Sequence, residues 1–186
     1  MLDGARTFLV AGPPKSGRST VLATMARTLL DAGTSIVVVA PRPSPLRELA
    51  GSAGVVAVLT EGDLVEEELA PLFDGTTPRV LIVDDGEVLR DATAKDWLRE
   101  LVRGARDRNV GIILGGDIAE VAGGFSGWQV EVRKNRSGIL LSPQKVADGD
   151  LVGARLPRSS LSTTVQLGRG LAQLGDGELT LLQLPS

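Results

Sequence analysis

The sequence predicts an α/β domain with a mainly parallel sheet, helices on both of its faces and a short antiparallel C-terminal extension. Three observations predict it. Strand and helix patterns alternate from Phe8 to Gly115, which is the signature of strand–helix–strand units. The strands in that region are continuous apolar runs such as Ile36-Val37-Val38-Val39 and Val80-Leu81-Ile82-Val83, as expected of strands covered on both faces. A glycine-bounded loop stands between the first strand and the first helix, where open α/β sheets bind their ligands.

The first strand, Phe8 to Ala11, breaks at Gly12 and runs into Pro13-Pro14-Lys15-Ser16-Gly17-Arg18-Ser19-Thr20. This is the layout of a phosphate-binding P-loop, G-x-x-x-x-G-K-[ST], with Arg18 where the lysine belongs. Gly12 and Gly17 allow a tight turn and a close approach to phosphate without a Cβ in the way. The amides from Lys15 onward can then form an anion-binding nest, backed by the positive end of the following helix. Pro13 and Pro14 have no amide to donate and precede the cradling part of the loop. Ser19 supplies the hydroxyl that binds Mg²⁺ in such sites.

After the loop, Val21, Leu22, Met25, Leu29 and Leu30 recur at helical spacing, giving a helix over Ser19–Ala32 that Gly33 stops. Ser35–Ala40 is the second strand. Pro41, Pro43 and Pro45 then force an extended loop, with a short helix at Leu46–Ala50. Val55–Leu59 is the third strand, and Asp63–Leu72 reads as a helix with its acids near the favoured N-terminal end. Arg79–Asp84 is an apolar strand ending in an acid, a Walker B pattern. It delivers Asp84 to the sheet edge that carries the loop, where a carboxylate can hold the Mg²⁺ shell. Sharing one metal between Ser19 and Asp84 leads to the expectation that the strands ending at Ala11 and Asp84 are neighbours.

Ala92–Arg108 reads as the best helix, with Leu98, Leu101, Val102 and Ala105 on one face and charges on the other. Val110–Leu114 is a buried strand, turned by Gly115-Gly116-Asp117. Asp117–Ala122 and Trp128–Asn135 are helical, and Gly138–Leu141 is a strand. Ser142–Ser162 is loop-rich, Gly168-Arg169-Gly170 reads as a turn, and Glu178–Leu184 is the last strand.

Composition narrows the chemistry. The 186 residues suffice for one domain spanning 1–186. The first strand begins almost at Met1, so the chain reads either as a domain of a longer polypeptide or as a short protein. There is no cysteine and no histidine, which excludes disulfides, thiolate or imidazole metal sites and histidine-based triads. No stretch is long and apolar enough for a membrane span and the N-terminus lacks a signal-peptide core. A cytoplasmic setting without direct membrane contact by this domain is expected. The net charge is −3, with no dense basic block, so DNA is a disfavoured partner for the isolated domain.

With both motifs placed, the chain resembles the FtsK/SpoIIIE family of RecA-like P-loop ATPases. More narrowly, it resembles the degenerate C-terminal ATPase domains of the actinobacterial type VII secretion ATPase. The resemblance runs through the loop and Walker B strand to Leu98–Arg108, Phe125-Ser-Gly-Trp128, Arg136–Pro143, Asp148–Gly153, Arg155-Leu-Pro157 and Gly168-Arg-Gly170. It implies ATP and Mg²⁺ as ligands, held by Gly12 to Thr20 with Ser19 and Asp84 on the metal. It further implies a membrane-tethered parent with several such domains assembling as hexamers, or a homo-oligomer. Neighbouring ATPase domains and a helical protein cargo signal are the implied partners.

Two departures bear on catalysis. An active motor of this family has lysine at position 18 and glutamate directly after the Walker B aspartate; this chain has Arg18 and Asp85. Arginine keeps the charge but not the compact ammonium, and Asp85 is one methylene short of a glutamate. Hydrolysis involving Arg18, Asp84 and Asp85 is therefore expected to be low. Glu87 and Lys15 are alternative stand-ins for the missing acid and base. Three functions compete: a nucleotide-binding, weakly hydrolysing regulatory or cargo-recognition domain; an active DNA or protein translocase; and a small kinase with Arg133, Arg136, Arg155 and Arg158 as a lid.

Overall fold

Apolar runs decide the architecture. In a computed structural model describing residues 6–75, 77–124, 126–175 and 177–183, the runs Ile36–Val39, Val80–Val83 and Val110–Leu114 form strands sealed on both faces. The strands are β1 (Thr7–Ala11), β2 (Ser35–Val39), β3 (Val55–Leu59), β4 (Arg79–Val83), β5 (Val110–Gly116), β6 (Gly138–Leu141), β7 (Arg169–Gln173) and β8 (Thr180–Gln183). They make one sheet in the order β3-β2-β4-β5-β1-β6-β7-β8. The first six pair in parallel and the last two add antiparallel.

Period-two alternation sends each strand's side chains into two separate cores. Leu9, Val37, Val39, Leu81, Val83, Ile112 and Leu114 face one side, with Leu98, Leu101 and Val102 of α3 (Lys95–Arg103) and Trp128 and Val132 of α5 (Trp128–Arg133). Phe8, Val10, Ile36, Val38, Val80, Ile82 and Ile113 face the other, with Val21, Leu22, Ala23 and Ala26 of α1 (Arg18–Asp31). Trp128 is fully buried and its indole Nε1 donates to the Leu89 carbonyl at 3.2 Å.

Several elements differ from the sequence expectation. The Asp63–Leu72 helix is only α2 (Glu66–Leu69) followed by a 3₁₀ turn, Ala70–Phe73. Pro71 has no N–H to continue an α-helix. The long helix begins at Lys95, because Thr93 and Ala94 donate their amides to Asp63 and Leu64. It ends at Arg103, because Gly104 terminates it. Gly115 and Gly116 belong to β5 and precede α4 (Ile118–Ala122). The turn expected at Gly168-Arg169-Gly170 is the start of β7. A Cβ on Gly170 would stand 2.6 Å from the Leu140 carbonyl oxygen, so glycine permits the strand's approach to β6.

The expected adjacency of β1 and β4 is also corrected. β5 lies between them and pairs with both. Of the segments carrying the family resemblance, Phe125 lies outside the described residues, as does Leu184 at the end of the last strand.

Candidate functional site

The loop Gly12 to Gly17 leaves β1 at the carboxyl edge of the sheet and delivers the chain to α1. Lys15 and Gly17 take left-handed conformations, φ 67° and 96°, which turn successive amides toward one side. The loop is pinned at both ends. Gly12 donates to the Gly116 carbonyl at 3.2 Å, and Ser16 donates to Pro13 at 3.2 Å. Helix α1 starts on Gly17 with no side-chain cap and no acid in its first turn. Its first amides therefore have no partner within the helix, and its positive end is uncompensated. Ser16 is fully buried, and among the described residues its Oγ has no hydrogen-bond partner. A cavity of about 440 Å³ opens here, lined by Lys15, Gly17, Ser19 and Thr20 among others.

Arg18 is the first residue of α1, and its guanidinium is largely buried. One nitrogen donates to the Gly12 carbonyl at 2.8 Å and another to Asp85 Oδ1 at 2.9 Å. A third charge, Asp117 Oδ2, lies 3.9 Å away. Arg18 therefore spans from the loop strand across β5 to the end of β4. The double glycine of β5 lets Leu22, Val121 and the acids after β4 pack close against that strand. A Cβ on Gly115 would come within 3.3 Å of Asp84 Oδ1, and one on Gly116 within 3.1 Å of Glu87 Oε2.

The acids after β4 have distinct surroundings. Asp84 is buried, accepts from Ser44 Oγ at 2.8 Å and accepts from the Asp85 amide at 3.0 Å. Asp85 sits in a left-handed conformation, φ 48°. Arg42 reaches both Asp85 at 3.5 Å and Glu87 at 3.1 Å, while Glu87 also accepts from the Asp117 amide at 3.3 Å. Burial pushes the Asp85 carboxyl up, and the charges of Asp84 and Glu87 push it further; Arg18 and Arg42 oppose them.

The structure thus brings Arg18 and Asp85 together and sets Asp84 beside them. Among the described residues, no hydrogen bond joins Ser19 to Asp84, and no group of three acids is arranged as a metal cage. Lys15 is exposed at the crest of the loop. Glu87 faces Arg42 and the Asp117 amide. Arg133 and Arg136 are at the opposite edge of the sheet, where Asn135 bonds Thr7 at the start of β1. Arg133 donates there to the carbonyls of Ala122 and Gly124, so these two arginines form no lid over the loop.

Sequence reasoning did not single out Arg42, Ser44 or Asp117. The signal available was positional. Each follows a parallel strand, β2 or β5, whose carboxyl end shares the edge that carries the loop.

No family model matches the sequence, and no curated protein matches it. Solved structures do. One is Thermomonospora curvata EccC (ATPases 2 and 3) in complex with a signal sequence peptide: 19% identity, TM-score 0.71, covering 95% of this chain and 36% of that one. Another is EssC (ATPases 2 and 3) from Geobacillus thermodenitrificans: 19% identity, TM-score 0.73, covering 97% of this chain and 37% of that one. A third is B204, the DNA-packaging ATPase from Sulfolobus Turreted Icosahedral Virus: 12% identity, TM-score 0.67, covering 98% of this chain and 99% of that one. The chain spans little more than a third of the first two. It therefore has the fold of P-loop ATPase domains, and it resembles those of the type VII secretion ATPases, as its motifs led one to expect.

Proposed function

We propose that this domain binds a nucleoside triphosphate with Mg²⁺, hydrolyses it slowly or not at all, and serves regulation or cargo recognition in a type VII secretion or related translocation ATPase. One observation carries the proposal. The two positions where an active motor needs lysine and glutamate hold Arg18 and Asp85, and these are bonded to each other at 2.9 Å. Meanwhile the loop keeps features that favour an anion. The left-handed Lys15 and Gly17 and the uncapped start of α1 suit an anion.

The residues present fit the ligand. The amides of Lys15 and of Gly17 to Thr20 would hold the phosphates, and Ser19 and Asp84 are hard oxygen donors of the kind magnesium takes one or two of. Bound magnesium would neutralise phosphate charge. Asp85, one methylene short and tied to Arg18, is badly placed to orient a water. Arg18 offers a delocalised, doubly bonded guanidinium in place of a mobile ammonium.

Among the described residues, no helix is long and apolar enough to cross a membrane. The domain is proposed to act on the cytoplasmic side of a membrane-associated complex without touching the bilayer itself. Its partners would be neighbouring ATPase domains, in a longer chain or a homo-oligomer such as a hexamer, and a helical cargo signal. That EccC was solved with a signal sequence peptide supports the cargo partner. The alternative is an active DNA translocase, which must neutralise phosphates and so lose affinity steeply with salt. A salt titration of duplex DNA binding, beside a pull-down with a helical cargo peptide, separates the two. Peptide capture with weak DNA binding is expected. Submicromolar, salt-steep DNA binding with no peptide capture would overturn the choice.

A further inference from the structure

Leu167 is an apolar residue with no role in either core, yet it is held firmly against the loop. It is 58% exposed and lines the same cavity as Lys15, Gly17, Ser19 and Thr20. Its Cδ1 lies 3.3 Å from where a Cβ on Gly17 would stand. Three hydrogen bonds fix the segment around it. Gly168 donates its amide to the Ser16 carbonyl at 3.0 Å. Ser142 Oγ donates to the Gln166 carbonyl at 2.7 Å and accepts from the Gln166 amide at 2.9 Å.

The sheet order gives this position a direction. The acids Asp84 and Asp85 follow β4, which lies two places from β1 on one side. Leu167 leads into β7, two places from β1 on the other. A nucleotide whose terminal phosphate faces Arg18 and the acids extends its nucleoside the opposite way, over the start of α1. Leu167 stands on that side. An exposed leucine beside an anion cradle would be poorly placed if the cavity took only inorganic phosphate.

We propose that Leu167 is the base-side contact of the site, an apolar platform for the face of a purine, which rests on the nucleotide-binding function proposed above. The class of ligand is then a nucleoside triphosphate, the purines gaining most because their ring face buries the most apolar area. A leucine side chain presents neither donor nor acceptor, so it grips the ring face without reading its edge. Little discrimination between adenine and guanine follows. The backbone bond from Gly168 to Ser16 ties this platform to the phosphate loop, so the two halves of the ligand site are positioned together.

Calorimetry on the intact domain tests this with Mg-ATP, Mg-GTP and Mg-tripolyphosphate, on the unaltered chain and on Leu167→Ala and Leu167→Asp. Both changes are at an exposed position and leave the cores untouched; circular dichroism checks that each variant folds. The expected result is that ATP and GTP bind within about threefold of each other and about tenfold tighter than tripolyphosphate, the factor that one buried aliphatic contact supplies. Leu167→Asp should erase that advantage without weakening tripolyphosphate by the same factor, and Leu167→Ala should reduce it. Equal binding of ATP and tripolyphosphate, or an ATP advantage unchanged in Leu167→Asp, overturns the base platform while leaving the phosphate site standing. Discrimination between ATP and GTP above about tenfold overturns an apolar platform as the base contact. If none of the three ligands binds, nucleotide binding itself fails, and the platform with it.

Discussion

Removing the Arg18 side chain should destabilise the domain substantially, because it is the main counter-charge of a buried acid cluster. Its side chain is 11% exposed, as is that of Asp85, and its guanidinium also donates to the Gly12 carbonyl. Breaking a buried pair by deleting one partner costs about 3–5 kcal/mol. Here the remaining acid keeps a weaker partner, Arg42, at 3.5 Å on a side chain 56% exposed, so the expected loss for Arg18→Ala is about 2–3 kcal/mol. For a domain of this size that is a fall in Tm of roughly 4–12 °C. Chemical denaturation of Arg18→Ala, Asp85→Ala and the double variant measures it. The double variant should be more stable than the sum of the single losses requires, by about 1.5 kcal/mol or more. A loss below about 0.5 kcal/mol for Arg18→Ala, with additive single effects, would refute the idea that this pair holds the site together.

Three further outcomes follow from the same geometry. Because the Asp85 carboxyl is raised by burial, then by Asp84 and Glu87, the folded state binds its proton more readily than the unfolded state does. Its contribution is therefore most favourable at low pH and declines as pH rises from the ordinary carboxylate range through the raised value. Asp85→Asn should remove that decline, read as a flatter difference in unfolding free energy across a pH series. Gly12→Ala should collapse the loop, since its Cβ would stand 2.4 Å from Ser16 Oγ and 2.9 Å from Leu141 Cβ. A cost of about 1–3 kcal/mol and loss of nucleotide binding are expected by calorimetry. Asp84→Asn should weaken ATP binding in the presence of Mg²⁺ more than in its absence, which titrations with and without chelator would show.

The strands were legible in the sequence wherever apolar residues ran continuously. Ile36 to Val39 and Val80 to Val83 have no other stable place than between two helical layers. The helices were less legible where distant groups or a single breaker decided their ends. Ala92 to Ala94 read as the start of the helix, but the amides of Thr93 and Ala94 are taken by Asp63 and Leu64 from another part of the chain. Gly170 looked like punctuation and is instead a close approach between strands. The loop and its acids could be named from spacing alone, whereas the insertion of β5 between β1 and β4 could not. Nothing local in Val110 to Gly116 encodes where that strand enters the sheet. The contact between Arg18 and Asp85 reaches across that inserted strand.

On the proposed function, the domain binds Mg-ATP at the loop while Arg18 and Asp85 leave it without effective turnover. ATP binding and ATP turnover measured on one sample, for the unaltered chain and for Arg18→Lys/Asp85→Glu, test it most directly. The unaltered chain should bind Mg-ATP with turnover near background. The double variant should turn over faster than either single change predicts, because both groups act on one transition state. Robust turnover by the unaltered chain, abolished by Ser19→Ala, would contradict the account and establish an active motor.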